Sequence, residues 1–119
     1  MSKTVILVVE DEALLRLNAV EMLADAGYTV LEAANADQAI VILEKRDDVS
    51  VVFTDVNMPG SMDGLKLIEA IRKRWPPVLL IVTSGKAALR DGDLPRGGRF
   101  IPKPYSNEQV LSVVAQLPA

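Results

Sequence analysis

Five polar side chains each follow directly on a run of aliphatic or β-branched residues. Glu10 and Asp11 follow TVILVV, Asp55 follows SVVFT, Thr83 follows VLLIV and Lys103 follows RFIP. If these runs are strands of one parallel sheet, their carboxyl ends share an edge, and such an edge is where open α/β sheets bind ligands. Two carboxylates about 4 Å apart repel by roughly 4 kcal/mol at an effective dielectric near 20. Gathering Glu10, Asp11 and Asp55 therefore calls for a cation. Oxygen ligands without nitrogen or sulfur suit Mg²⁺, with Mn²⁺ as an alternative. The Thr83 hydroxyl and the Lys103 ammonium are the groups a bound phosphoryl needs for hydrogen bonding and charge compensation. A carboxylate can itself carry phosphate as a covalent aspartyl-phosphate. Asp55, on a central strand between the metal side and the lysine side, is the expected nucleophile. Taken singly, each residue has a structural explanation: Asp11 capping a helix, Thr83 finishing a strand, Lys103 solvated. It is the set that points to chemistry.

Composition narrows the choices further. The chain has 119 residues, no cysteine and no histidine. That excludes disulfides, zinc-thiolate sites and histidine-based catalysis. The net charge of −3 and the lack of a concentrated basic face argue against nucleic-acid binding by this chain alone. Arg72, Lys73 and Arg74 form a short basic run that reads as dipole compensation in a last helical turn. No apolar run has membrane-spanning length and no signal-peptide pattern opens the chain, so a cytoplasmic location and no membrane partner are expected.

The elements that must position these residues alternate regularly. Strands are expected over Thr4–Val9, Thr29–Ala33, Ser50–Thr54, Val78–Val82 and Arg99–Ile101. Between the first two, Leu15, Ala19, Met22, Leu23 and Ala26 form a helical stripe, and Gly27 sits at a left-handed C-cap. Asn35 caps a helix over Ala36–Arg46, with Ala39, Ile40 and Leu43 facing inward. Asp63 caps a helix carrying Leu65, Ile68, Ile71 and Trp75, which Pro76 and Pro77 stop. Ser106 and Gln109 form a capping box for a last helix with Val110, Val113, Val114 and Leu117 on its buried stripe. This alternation implies a doubly wound α/β sandwich in one domain spanning residues 1–119, with a five-stranded parallel sheet and helices on both faces. Between Thr83 and Phe100, Gly85, Gly92, Gly97, Gly98 and Pro95 leave room for little regular helix, so the fourth helix is expected to be short or irregular.

The motifs VILVVEDE, VVFTDVNMPGSMDG, IVTSG and FIPKPY together resemble the receiver domains of two-component response regulators, over essentially the whole chain. The resemblance implies a flavodoxin-like fold of strand order 2-1-3-4-5, similar to the chemotaxis regulator. It implies that Asp55 is the phosphoacceptor and that Mg²⁺ is held by Asp11, Asp55, the Asn57 backbone carbonyl and, through water, Glu10. It further implies that Thr83 and Lys103 contact the phosphoryl group, that Phe100 stands at the rotating switch position, and that the Lys103–Pro104 peptide is cis. A histidine kinase or histidine phosphotransfer protein would donate the phosphoryl group, and an unknown downstream protein would read the result. The Met1 start favours a free-standing regulator.

Three features depart from the common pattern. PGSMDG is one residue longer than PGMDG, Phe100 has no hydroxyl, and the glycine-rich segment replaces a regular fourth helix. Two other functions compete. An aspartate-nucleophile phosphatase resembles D-x-D, but the second acid position here is Asn57. A phosphate-independent flavodoxin-like interaction module would have little use for the acidic set, and Glu10-Asp11-Glu12 would repel a flavin phosphate.

Overall fold

The computed structural model describes residues 4–56, 64–84 and 98–117. In chain order these form β1 (Val5–Val9), α1 (Ala13–Asp25), β2 (Thr29–Ala33), α2 (Ala36–Lys45), β3 (Val51–Asp55), α3 (Gly64–Arg74), β4 (Leu79–Ser84), β5 (Arg99–Pro102) and α4 (Asn107–Gln116). The five strands make one sheet in the order β2-β1-β3-β4-β5, and every neighbouring pair is parallel. The expected topology is therefore present. The Asp63 cap, the Asn57 carbonyl and the glycine-rich segment up to Gly97 lie outside the described residues.

Why the central strands are apolar throughout is clear from the packing. Successive side chains alternate between faces, and both faces of this sheet are covered. On one face Val5, Leu7 and Val9 join Ala39 and Leu43 of α2 and Leu67 and Ile71 of α3. On the other, Ile6 and Val8 pack with Ala19 and Leu23 of α1 and Val110 and Val114 of α4. Polar residues are thus pushed to the ends of the strands, where the sheet can present them.

Local chemistry sets the helix ends. Asn35 Oδ1 accepts from the Gln38 N–H at 2.8 Å. Ser106 Oγ accepts from the Gln109 N–H at 3.1 Å while Gln109 Oε1 accepts from the Ser106 N–H at 2.8 Å, closing the expected box. Gly27 follows α1 with φ of 100°, the left-handed conformation that a side chain would oppose. The basic run occupies the last turn of α3, and the Arg74 guanidinium lies 4.4 Å from the centre of the Trp75 ring.

Some boundaries and faces differ from expectation. β3 extends one residue further, through Asp55, and β4 two residues further, through Ser84, because both remain in register with the neighbouring strand. Ala26 is exposed rather than part of the buried stripe; it is the C-cap, past the point where α1 leans on the sheet. In α3, Leu67 is fully buried beside Ile68 and Ile71.

The Ser106 cap starts the helix that follows the Lys103 loop. Replacing Ser106 by Ala should lower stability by about 1 kcal/mol, measurable as a reduced urea midpoint with an unchanged slope.

Candidate functional site at the carboxyl edge of the sheet

Register carries the polar residues into one row. Val9 of β1 pairs with Thr54 of β3, so Glu10 leaves the sheet beside Asp55. Asp55 pairs directly with Thr83 of β4. Pro102 of β5 pairs with Ser84, and the Lys103 N–H continues the ladder to the Ser84 carbonyl at 3.1 Å. The Lys103 side chain then reaches back across β4. Its Nζ donates to Asp55 Oδ2 at 2.6 Å and to Glu10 Oε1 at 3.3 Å. The Lys103–Pro104 peptide is cis, as the resemblance implied.

Burial makes these contacts matter. Glu10 and Asp55 are 5% and 4% exposed, and Thr83 is 2% exposed. Charges this far from water need partners, and Lys103 is shared between both acids. Burial would pull the lysine down, but its hydrogen bond to Asp55 and the charges of Glu10 and Asp55 outweigh it and hold the ammonium above its usual range. Glu10 moves the other way from a normal carboxylate. Burial, followed by its hydrogen bond with Asp11, raises its pKa, against the lowering effects of the Glu12 N–H and of Lys103. The Glu12 N–H donates to Glu10 Oε2 at 3.2 Å.

Oxygens of Glu10, Asp11 and Asp55 lie within 4.8 Å of one another, a group that can hold a metal ion. Asp11 is exposed and does not cap α1: the N-cap is Glu12, which makes no side-chain cap bond. The capping explanation of Asp11 is thereby removed. Thr83 Oγ1 is buried without a hydrogen-bond partner among the described residues. An unsatisfied buried hydroxyl costs about 1–3 kcal/mol, so a hydrogen-bond partner supplied at this position would be stabilising. An oxyanion seated between Thr83 and Lys103 would use it, so the donor set fits a phosphoryl group as well as the acids fit a hard cation.

A model of the response regulator receiver domain matches residues 6–115. The chain belongs to this family.

Among curated relatives, this receiver domain is 38% identical over 116 residues to the sensor kinase CckA of Brucella abortus, covering 94% of this chain and 12% of the kinase. It is 35% identical to a putative NtrX-like response regulator of Rickettsia bellii, covering 93% of this chain and 24% of that protein. It thus spans a quarter or less of these two relatives. Among solved structures, the receiver domain of the hybrid histidine kinase CckA aligns with a TM-score of 0.80 at 33% identity, covering 94% of this chain and 96% of that one. A response regulator receiver protein from Sinorhizobium medicae aligns with a TM-score of 0.86 at 28% identity, covering 97% and 94%. No helix among the described residues is long and apolar enough to cross a membrane.

Of the residues singled out from sequence, the receiver fold brings together Glu10, Asp11, Asp55, Thr83 and Lys103. Phe100 lies on β5, half-buried against the core on the α2–α3 face. Two neighbours were not anticipated. Tyr105 lines a small hollow beneath the site with Val8, Ala19 and Phe53, and its ring stands 5.6 Å from that of Phe53 at 59°. Burial, then the charge of Glu10, raises its phenol pKa. Arg16 donates from Nη1 to the Glu10 carbonyl at 2.8 Å. An aromatic two residues after the lysine was visible as a signal for the first; nothing in the sequence marks Arg16, which sits on α1 among exposed neighbours.

The raised pKa of Glu10 has a defined sign in linkage. Its contribution to stability is fully present below its unfolded pKa and is lost as pH rises through the higher folded value. In EDTA, the stability of Glu10→Gln relative to wild type should therefore increase as pH is raised through that window. Urea melts at a series of pH values test this; a constant difference would show that Glu10 is not destabilised by its surroundings.

Proposed function

We propose that this chain is one receiver domain, spanning residues 1–119, that accepts a phosphoryl group on Asp55 in a Mg²⁺-dependent reaction and changes its protein contacts as a result. The observation that carries this reading is the juxtaposition of three carboxylate groups, one shared ammonium and one unpartnered buried hydroxyl at a single sheet edge. The donor would be a phosphohistidine of a histidine kinase or histidine phosphotransfer protein, a class of partner that the CckA likeness supports.

In the transfer, a carboxylate oxygen of Asp55 forms a bond to phosphorus as the P–N bond to the donor imidazole breaks, and the imidazole leaves with the electron pair. Lys103, already 2.6 Å from Asp55, offsets charge on the phosphoryl oxygens. Thr83 donates its hydroxyl hydrogen bond to one of them. Glu10, Asp11 and Asp55 would hold Mg²⁺, which when bound would supply neutralisation of the charge that develops during transfer. Asp11, exposed at the rim, suits direct ligation. Glu10 suits contact through water, since Lys103 and the Glu12 N–H already engage its two oxygens. The Asn57 carbonyl is the further ligand this reading requires. Recruitment of Thr83 and a turn of Phe100 would carry the change toward the surface read by a downstream partner. Hydrolysis of the aspartyl-phosphate at the same site would reset the domain. The phosphatase alternative has no observation behind it, because position 57 supplies no carboxylic acid.

Incubation with acetyl phosphate and Mg²⁺ should add one phosphoryl mass by intact mass spectrometry. Asp55→Asn or chelation should abolish the gain, and modification at another residue would refute the assignment. Mg²⁺ should also raise the melting temperature of wild type by binding linkage. In Asp11→Ala that shift should largely disappear; an undiminished shift would remove Asp11 from the ligand set.

A further inference from the structure

Arg16 touches none of the groups assigned to ligand or phosphoryl contact, yet it fixes the backbone that carries two of the acids. The Glu10 N–H is bonded to the Ala33 carbonyl of β2 at 3.1 Å. The Glu10 carbonyl receives Arg16 Nη1 at 2.8 Å. Arg16 is in turn braced by Glu32 of β2, whose Oε1 accepts from Nε at 3.1 Å. Peptide units are planar, so fixing the Glu10 carbonyl fixes the plane that contains the Asp11 nitrogen. The position of the Asp11 Cα, from which its side chain leaves the chain, is thereby set from α1 and β2 at once.

The geometry points to Arg16, braced by Glu32, as a positioning residue that presets the Glu10–Asp11 turn for the divalent cation. This rests on the reading of the acid group as a Mg²⁺ site. Arginine suits the task because its planar guanidinium holds the Nε and Nη1 donors in a fixed relative geometry, whereas a lysine offers one ammonium on a flexible stem. The side chain is 20% exposed, so its bonds are shielded from most competing water, while Glu32 is 55% exposed and acts as the outer brace. Charge alone argues for the opposite effect. A guanidinium near the acids repels a divalent cation, so deleting it would tighten binding if Arg16 did nothing else. Positioning and simple electrostatics therefore predict opposite signs.

Mg²⁺ affinity measured by calorimetry on the folded full chain decides between them. Arg16→Ala should bind Mg²⁺ about tenfold more weakly, as is common when an outer partner of a metal ligand is removed. Arg16→Lys keeps the charge and loses the fork, and should also bind more weakly than wild type. Glu32→Ala should show a smaller loss in the same direction. At saturating Mg²⁺ the acetyl-phosphate labelling rate of Arg16→Lys should recover toward wild type, because the reacting groups are intact. Unchanged or tighter Mg²⁺ binding in Arg16→Ala, or wild-type affinity in Arg16→Lys, would overturn the inference and leave Arg16 a structural residue. If Arg16→Ala does not fold, Arg16→Lys, which keeps the charge, decides the matter. A wild-type chain that binds no Mg²⁺ would sink the underlying reading; normal wild-type binding with unaffected variants would sink this one alone.

Discussion

Glu10 and Asp55 are held side by side, nearly out of water, at the end of a sheet, and one lysine serves both. Desolvated like charges repel, and a buried ion pair returns the cost of desolvation only when its geometry is good. The 2.6 Å bond from Lys103 to Asp55 and the longer one to Glu10 are part of the compensation. Glu10 still sits above its usual pKa, through burial first and then its hydrogen bond with Asp11. With Asp11 the two acids form a group that can hold a metal ion, and the rest of the fold can be understood as the means of keeping that group together.

The sheet does this by being covered on both faces. With cores on either side, β1, β3 and β4 admit almost no polar residue until their carboxyl ends. Parallel register then decides which residues meet there: Glu10 beside Asp55, Asp55 beside Thr83, Lys103 one strand further out. The order β2-β1-β3-β4-β5 puts Asp55 on the central strand, between the acids of β1 and the cation from the β5 loop. A different strand order with the same sequence elements would separate them.

The two ends of the row differ in how firmly they are held. On the β1 side, Glu10 is tied through its N–H, its carbonyl and both carboxylate oxygens. On the β4 side, the Thr83 hydroxyl is buried and has no hydrogen-bond partner among the described residues. In the proposed function the phosphoryl group would give the Thr83 hydroxyl a hydrogen-bond partner, while Glu10 is already held by its present contacts. Phe100, partly packed against the α2–α3 core, stands one strand beyond Thr83 and adjoins the side that has freedom to respond.

The sequence by itself determined the alternation of strands and helices, because apolar runs, capping residues and Gly27 act locally. It also determined the polar residue at each strand end, since those types stand out against aliphatic runs. Glu10, Asp11, Asp55, Thr83 and Lys103 were legible for that reason, as were the caps at Asn35 and Ser106. Tertiary structure decided the contacts that depend on distance between elements. Lys103 could be placed near the acids from sequence, but its sharing between Asp55 and Glu10 follows from strand order and register. That the Thr83 hydroxyl has no partner among the described residues could not be read at all, because it depends on all of those neighbours at once. Ala26 falls on the helical stripe but lies past the contact with the sheet, and periodicity carries no information about where contact ends. Arg16 and Glu32 are ordinary surface types in sequence; only the packing of α1 across β1 and β2 turns them into a brace for the acidic turn.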